Sequence, residues 1–337
     1  MTYSAAPDIS NRTPFALEPA FLSDEEGRPA FVPIVKGTFA IDGTGALEIA
    51  EQRPVNLAGE HWGDPETSSY RYEPECAFMK PATDIILLGH AYPTHSSSVE
   101  VPVGIRVGRI QKVVTVVGDR HWEPGLSGRI LMTSPIPFER MPLLYERAFG
   151  GCDWYNPTHP ACELRNPVGT GFRVNWDGSE PTPLPNLEDP ADRIETPQDR
   201  PAPAGFGFVS PNWLPRASFA GTYDEVWMAE RSPLLPRDFD RRFFSAASPG
   251  LIAPGYLRGD ERVTVGNASP RGHLNFVLPG VPAPRVEVTL RGRGVRTLDT
   301  QLDTLIVDTD DHLVTLIWRA YLTVSEVPRD VAAVVVA

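Results

Sequence analysis

From residue 28 to residue 135 apolar and polar positions alternate with the two-residue period of strands. Phe31, Pro33, Val35, Phe39 and Ile41 share one parity, and Lys36, Thr38 and Ala40 share the other. One face of this segment is therefore expected to be buried. Asp42-Gly43-Thr44-Gly45 predicts a turn, after which Ala46–Ile49 pairs back. A further strand is expected over Asp84–Ala91, around the run Ile85-Ile86-Leu87-Leu88. The clearest alternation is Val99, Val101, Val103, Ile105 and Val107. Pro102 lies within it and cannot donate to a ladder, which argues for an edge or a bulge. Gly108-Arg109 then turns the chain into Gln111–Val117, completing a hairpin.

The same pattern returns near residue 256. Strands are expected at Val263–Val265, Leu274–Leu278, Val286–Leu290, Leu302–Val307 and Leu313–Val324. Leu302 to Trp318 reads as a hairpin around Asp308-Thr309-Asp310-Asp311, because Asp side chains bond the local backbone in turns. Its strands are apolar on both faces, which predicts a central position in a sheet. Between these regions proline dominates. Most of the 36 prolines fall between Met132 and Pro254, where they exclude long helices and central strands. One helix is predicted there, with Thr222-Tyr223-Asp224-Glu225 as a capping box, Thr222 at the N-cap, and Pro233 closing it. Shorter helical turns are expected at Leu143–Phe149 and Asp238–Phe244. The expected fold is mainly β, with antiparallel sheets in a sandwich-like arrangement and a few short helices. Residues 1–337 form one unit. Its strand-rich parts, 28–135 and 256–326, pack together, and a proline-rich loop region, 136–255, wraps outside them.

Composition narrows the class. A chain of 337 residues buries enough surface to fold without metal or disulfide staples. With 41% hydrophobic and 22% charged residues it is neither disordered throughout, nor collagen, nor a coiled coil. Its net charge of −12 and scattered basic residues argue against a nucleic-acid partner, which clustered Lys and Arg would hold. The longest nearly apolar run, Val331–Ala337, falls far short of the ~20 residues that span a membrane. Met1 to Phe15 lacks a secretory signal. Cys76, Cys152 and Cys162 do not make a disulfide framework, so reduced thiols in the cytoplasm are expected.

No strong catalytic motif is present. Gly125-Leu126-Ser127-Gly128 is one residue short of a nucleophile elbow, and Gly169-Thr170-Gly171 reads as a turn, not a cofactor loop. Cys152, His159 and Cys162 fall within eleven residues and are the best metal candidates, with His121 or Asp153 as a fourth ligand. Their spacing is not a familiar zinc-binding one, so packed or partly exposed side chains are expected, and no metal or cofactor is assigned. His90 and His95 read as hydrogen-bonded groups at a strand end. Asp119-Arg120-His121-Trp122-Glu123 reads as an internal Asp–Arg ion pair beside a buried Trp. Asp308, Asp310 and Asp311 read as a hairpin tip facing water, not a Ca²⁺ site. Trp154, Trp176, Trp213 and Trp227 all lie in the proline-rich region. They either anchor irregular backbone to the sheets or form an interaction surface, since Trp, Tyr and Arg are enriched at binding hot spots. On the second reading the partner-binding candidates are Tyr145, Arg147, Trp213, Arg216, Trp227 and Arg231; no residue is assigned a catalytic role.

Several segments together resemble one family. They are Asn11-Arg12-Thr13-Pro14-Phe15, Leu87-Leu88-Gly89-His90-Ala91, Pro142 to Gly151 (Pro-Leu-Leu-Tyr-Glu-Arg-Ala-Phe-Gly-Gly), Asn166-Pro167-Val168-Gly169-Thr170-Gly171-Phe172 and Leu184-Pro185-Asn186-Leu187-Glu188-Asp189-Pro190. Pro203-Ala204-Gly205-Phe206-Gly207, Ala220-Gly221-Thr222-Tyr223-Asp224-Glu225 and Asp238-Phe239-Asp240 complete the set. In this order they resemble the bacterial family called domain of unknown function 2169, from about Asn11 to Val324. The resemblance implies an accessory role in type VI secretion. On it, the chain is expected to be a cytoplasmic, non-enzymatic adaptor or chaperone that binds a toxic effector and helps load it onto the VgrG/PAAR spike. No catalytic residues are carried over. The alternatives are a metal-dependent or hydrolase-like enzyme using His121, Cys152, His159 and Cys162, or a secreted or structural component of the spike.

Overall fold

A strand that is apolar on both faces needs cover on both, and the hairpin around Asp308 occupies such a place. In the computed structural model, which describes residues 6–125, 129–174, 181–325 and 329–337, its strands are Gln301–Asp308 and Leu313–Arg319. They lie inside a seven-stranded sheet. The order is Ala16–Ser23, Pro29–Ile41, Leu313–Arg319, Gln301–Asp308, Asp84–Leu88, and Leu47–Ile49 and Leu322–Thr323 also pair with Pro29–Ile41. Asp84–Leu88 runs parallel to its neighbour, whereas most other pairs are antiparallel.

Pro29–Ile41 departs from the one-faced expectation, because it is buried almost throughout, Lys36 and Thr38 included. The reason is a partner for the charge. Lys36 Nζ donates to Glu75 Oε1 at 2.7 Å and Oε2 at 2.9 Å, in the segment between Tyr72 and Asp84. The same segment carries Lys80, whose Nζ lies 2.6 Å from Asp84 Oδ2. A third buried pair joins Arg319 to Asp303. The register between the two hairpin strands slips between Leu302 and Thr304, so Asp303 sits at a β-bulge. A bulge re-aims a side chain that regular pleating would send elsewhere. Here the carboxylate meets Arg319, whose Nη2 also donates to the Glu75 carbonyl at 2.7 Å.

A five-stranded sheet has the order Leu187–Glu188, Ile110–Val117, Glu100–Val107, Arg262–Gly266, His273–Val277. Glu100–Val107 alternates as expected, with Val101, Val103, Ile105 and Val107 buried. It is an interior strand, however, and not an edge. Pro102 is tolerated because pairing with Arg262–Gly266 begins only at Gly104, and Asn267 Nδ2 donates to the Pro102 carbonyl at 2.8 Å. A third sheet has the order Asp8–Asn11, Val331–Val336, Arg285–Leu290, Gly294–Asp299. Ile86, Val307 and Leu316 of the large sheet, Val103 and Val114 of the second, and Val286 and Val334 of the third lie in one continuous core.

The proline-rich region contributes short strands and turns that close the large sheet. Ile85 N donates to the Leu251 carbonyl at 2.9 Å, Leu87 N to that of Phe206 at 3.3 Å, and Ala253 N to that of Thr83 at 2.9 Å. The outer edge of Asp84–Leu88 is thereby covered, which removes a site for unwanted strand addition. The α-helix is Glu225–Glu230. Its N-cap is Asp224 and not Thr222: Asp224 Oδ1 accepts from Trp227 N at 2.8 Å, while Thr222 Oγ1 is engaged by Asp238 Oδ2 at 2.7 Å. Tyr145–Arg147 and Arg241–Phe244 are 3₁₀ turns, as is Arg216–Phe219. Cys152 and Cys162 form a disulfide, which corrects the expectation of reduced thiols. They face each other across the antiparallel ladder of Cys152–Asp153 with Ala161–Cys162, Cα atoms 4.0 Å apart, a register their spacing alone does not reveal. Trp176 and the Leu126-Ser127-Gly128 part of the short elbow lie outside the described residues.

Arg319 and Asp303 are both inaccessible to water. Arg319→Met leaves the carboxylate buried without its cation, and such truncations cost about 3–5 kcal/mol. Equilibrium urea unfolding of the variant should show that loss, and adding Asp303→Asn should restore part of it. A single variant within about 1 kcal/mol of the parent would refute the pairing as a determinant of stability.

Candidate functional site

The 3₁₀ turn Tyr145–Arg147 connects several elements through consecutive side chains. Tyr145 is buried, packs edge-on against Trp213 with ring centroids 5.5 Å apart, and donates to Ser248 Oγ at 3.0 Å. Burial pushes its phenol up to about 12. Gly205 is required beside it, because a Cβ there would lie 2.9 Å from the Tyr145 ring. Glu146 accepts from Ser69 N at 2.7 Å and Ser69 Oγ at 2.8 Å. Arg147 donates to Asn186 Oδ1 at 3.1 Å and to Asp119 at 3.4 Å. Asn166 Nδ2 reaches the carbonyls of Tyr145 and Phe149, which folds Asn166–Gly171 onto this turn.

Of the candidate partner-binding residues, Tyr145 and Trp213 thus belong to the core, and half-buried Arg147 belongs to this hydrogen-bonded network. Trp227 and Arg231 line a separate pocket of about 280 Å³, whereas Arg216 lines an apolar groove of about 800 Å³. Its apolar lining includes Leu22, Phe78, Leu234, Leu235, Phe243 and Phe244. Arg216 lines it, paired with Glu73, and donates to the carbonyls of Val209 at 2.8 Å and Phe243 at 2.7 Å. Trp227 is half-buried and its Nε1 donates to the Leu234 carbonyl at 2.8 Å. Arg231 Nε donates to the Leu235 carbonyl at 2.8 Å, and its Nη atoms bind Glu26 at 2.8 and 3.0 Å and the Glu25 carbonyl at 3.0 Å. These two side chains therefore hold the Leu234–Leu235 wall against the loop of residues 24–28. Gly27, in the left-handed region at φ +71°, lets that loop press on Leu234, where any Cβ would collide.

Arg241 ties the groove to the large sheet. Its guanidinium pairs with Glu25 and lies over the rings of Phe78 and Tyr321, 5.2 Å from each centroid. The hydrogen bond from Arg241 holds the Glu25 carboxyl below its ordinary value. Beside the groove the helix turns apolar side chains to solvent: Tyr223 is 53%, Val226 61% and Met228 66% exposed. Sequence reasoning missed the groove lining. The available signals were the adjacent pairs Leu234-Leu235, framed by Pro233 and Pro236, and Phe243-Phe244; neither has a period that tells an exposed wall from a core.

The other candidates separate. Cys152 and Cys162 are joined to each other, so neither offers a thiolate to a metal, and Nδ1 of exposed His159 lies 3.1 Å from Thr158 Oγ1. His121 lies 3.5 Å from Glu123. Among the described residues no group of three or more His, Cys, Asp or Glu is placed to hold a metal ion. Trp122 is buried as expected, but Arg120 pairs with Glu188 at 2.7 Å and not with Asp119, which bonds Asn186 and Arg147. The tip of the central hairpin does not simply face water. Asp308 is buried and accepts from Tyr72 Oη at 2.9 Å, Asp310 lies 2.7 Å from His90 Nδ1, and Asp311 lies 2.9 Å from Arg53. Burial and the Asp308 charge raise the Tyr72 phenol, which keeps it a donor. His95 is solvent-exposed, and the Ser98 amide donates to its carbonyl at 3.0 Å.

Fold and groove define a β-rich protein with an apolar cleft built from its irregular central region. Residues 26–319 match the family described as an uncharacterized protein conserved in bacteria, DUF2169, and the chain belongs to that family. No curated protein and no solved structure matches it. Among the described residues no helix is long and apolar enough to cross a membrane.

The two tryptophans should behave differently. Trp213→Ala opens a hole in the core and should cost about 3–5 kcal/mol. Trp227→Ala removes one hydrogen bond and an edge contact at a half-buried site, and should cost about 1–2 kcal/mol. Urea unfolding followed by circular dichroism separates the two, and equal losses would contradict these placements.

Proposed function

We propose that the protein is an adaptor or chaperone of type VI secretion, which binds a toxic effector in the cytoplasm and helps load it onto the VgrG/PAAR spike. The observation that carries this reading is the apolar helix surface of Tyr223, Val226 and Met228 beside the groove walled by Leu234 and Leu235. Protein-binding surfaces are enriched in aromatic residues, Met and Arg at their apolar centres. A groove whose Leu234–Leu235 wall is pinned by Trp227 and Arg231 needs little reordering when a partner enters, and preorganisation of that kind favours affinity. The net charge of −12 favours a partner with a basic face, drawn in by long-range attraction. The cytoplasmic reading requires that the Cys152–Cys162 disulfide be dispensable, because disulfides rarely persist in a reducing compartment. The hairpin it closes is also held by backbone pairing and by Gly151 N donating to the Asn166 carbonyl at 2.9 Å.

The test is co-purification with the proteins encoded beside it, comparing the parent with the double variant Val226→Asp, Met228→Asp. Both positions are exposed, so the fold should survive, and capture of the effector should fall at least about tenfold if they lie at a binding hot spot. Unchanged capture would remove the helix surface from the reading. Recovery of the chain outside the cell along with the effector would replace an adaptor with a cargo or spike component.

A further inference from the structure

The chain contains only three lysines, and they differ in one respect. Lys36 meets Glu75 and Lys80 meets Asp84, each at ion-pair distance in the interior. Buried Arg120, Arg216 and Arg319 likewise meet Glu188, Glu73 and Asp303. Among the described residues Lys112 hydrogen-bonds neutral partners only. Its Nζ donates to Ser248 Oγ at 2.6 Å and to the Pro249 carbonyl at 2.9 Å. Ser248 is itself buried and fixed from the other side by Tyr145 Oη at 3.0 Å. Among the described residues no carboxylate lies within 4.0 Å of Lys112 Nζ.

This ammonium stands at the wall of a cavity of about 380 Å³, within the usual range for small-ligand sites, roughly 300–1,000 Å³. Tyr145, Ala204, Val209, Leu214 and Pro215 make the rest of its lining mainly apolar. Two other charged groups face it. Arg165 is occupied by Glu163, at 2.7 and 2.8 Å. Asp189 is solvent-exposed, and its Oδ1 caps its own loop by accepting from Ala191 N at 2.8 Å. An ammonium has three donors, and a charge desolvated without a counter-charge is costly. Burial accordingly lowers Lys112 to about 8, opposed only by the attraction of Asp189. With two of its three donors used, the ammonium beside this apolar lining suits an anion whose remaining surface is apolar.

We propose that this cavity binds a small apolar carboxylic acid, its carboxylate on Lys112 Nζ and its hydrocarbon body against Tyr145, Ala204, Val209 and Leu214. A carboxylate there completes a charge-assisted hydrogen bond to a half-buried ammonium, and such bonds are about twice as strong as neutral ones. The site is independent of any effector: it requires a free acid and no partner protein.

Isothermal titration of the full chain with 4-phenylbutanoate and with 4-phenylbutanamide tests the proposal. The acid should bind, and the amide, equal in shape but uncharged, should bind at least about tenfold more weakly, the loss of one charged hydrogen bond. Lys112→Met should weaken the acid by a similar factor. Because the cation is needed, affinity should also fall as the pH rises above about 8, by up to about tenfold over the next unit. The comparison of acid with amide uses the unaltered chain and decides the matter even if Lys112→Met fails to fold. An amide within tenfold of the acid, a flat pH response from 7 to 9, or no acid binding at about 10 mM overturns the proposal. So does a peptide ending in a free leucine that binds where the small acid does not, which would assign the cavity to a chain terminus.

Discussion

A segment of a dozen residues between Glu73 and Asp84 carries the charges that key the molecule together. Glu73 pairs with Arg216 of the irregular region, Glu75 with Lys36 of the long N-terminal strand, and Lys80 with Asp84 at the start of the parallel strand. Asp303 reaches the same segment twice, accepting from Lys80 N at 3.3 Å and pairing with Arg319, which in turn donates to the Glu75 carbonyl. Buried charges are tolerated only when paired, and a misplaced one is far costlier than a misplaced methyl group. The Glu73–Arg216 and Glu75–Lys36 pairs join segments distant in sequence, so they specify which parts of the chain lie against each other. Asp84 extends the set by accepting from Ala246 N at 2.7 Å, which brings the central region onto the sheet edge.

That edge explains why the proline-rich region is ordered without being regular. Proline removes donors, and the ladders the region forms within itself among the described residues are two residues long. It supplies carbonyls from Phe206 and Leu251 to the free amides of Asp84–Leu88 and buries Phe206, Phe208, Val209 and Trp213 beneath. The Tyr145–Arg147 turn ties further segments together through side chains, reaching Ser248, Ser69 and Asn186 from three successive positions. The segment that carries much of the family resemblance is thus a junction of the fold. Its identity is dictated by packing and satisfied donors, with Gly205 and Asn166 as the matching halves.

Local periods made the strands legible. The Leu302–Trp318 hairpin and the Val101–Val107 alternation form where their patterns place them, and two-sided apolarity correctly implied a central position. Decisions made at a distance were not legible. Pro102 sits in an interior strand because a neighbouring strand ends early and Asn267 takes over, a fact about residue 267 and not about residue 102. Lys36 reads as solvent-facing until Glu75 is known to lie over it. Thr222 and Asp224 are both good caps, and Asp238, by engaging Thr222, selects Asp224. Val331–Val336 showed only as an apolar run, because its partners, Asp8–Asn11 and Arg285–Leu290, come from opposite ends of the chain.

The candidate site shows the same limit at its sharpest. Trp213 and Trp227 stand in similar proline-flanked surroundings, yet one is 3% exposed in the core and the other braces a groove wall at the surface. Irregular backbone has no period, so hydrophobicity alone does not say which way a side chain turns. The direction is set by where the backbone amides find acceptors. Trp213 N bonds the Ser210 carbonyl in a turn that leads into the core, and Arg216 then locks that turn to Val209 and Phe243. The helix of Trp227 is short, satisfies its own amides through Asp224, and is free to lie on the surface with Val226 and Met228 outward. Apolar side chains stay at a surface only when they are kept from collapsing onto the core, and a self-capped helix pinned at Leu234 and Leu235 meets that condition.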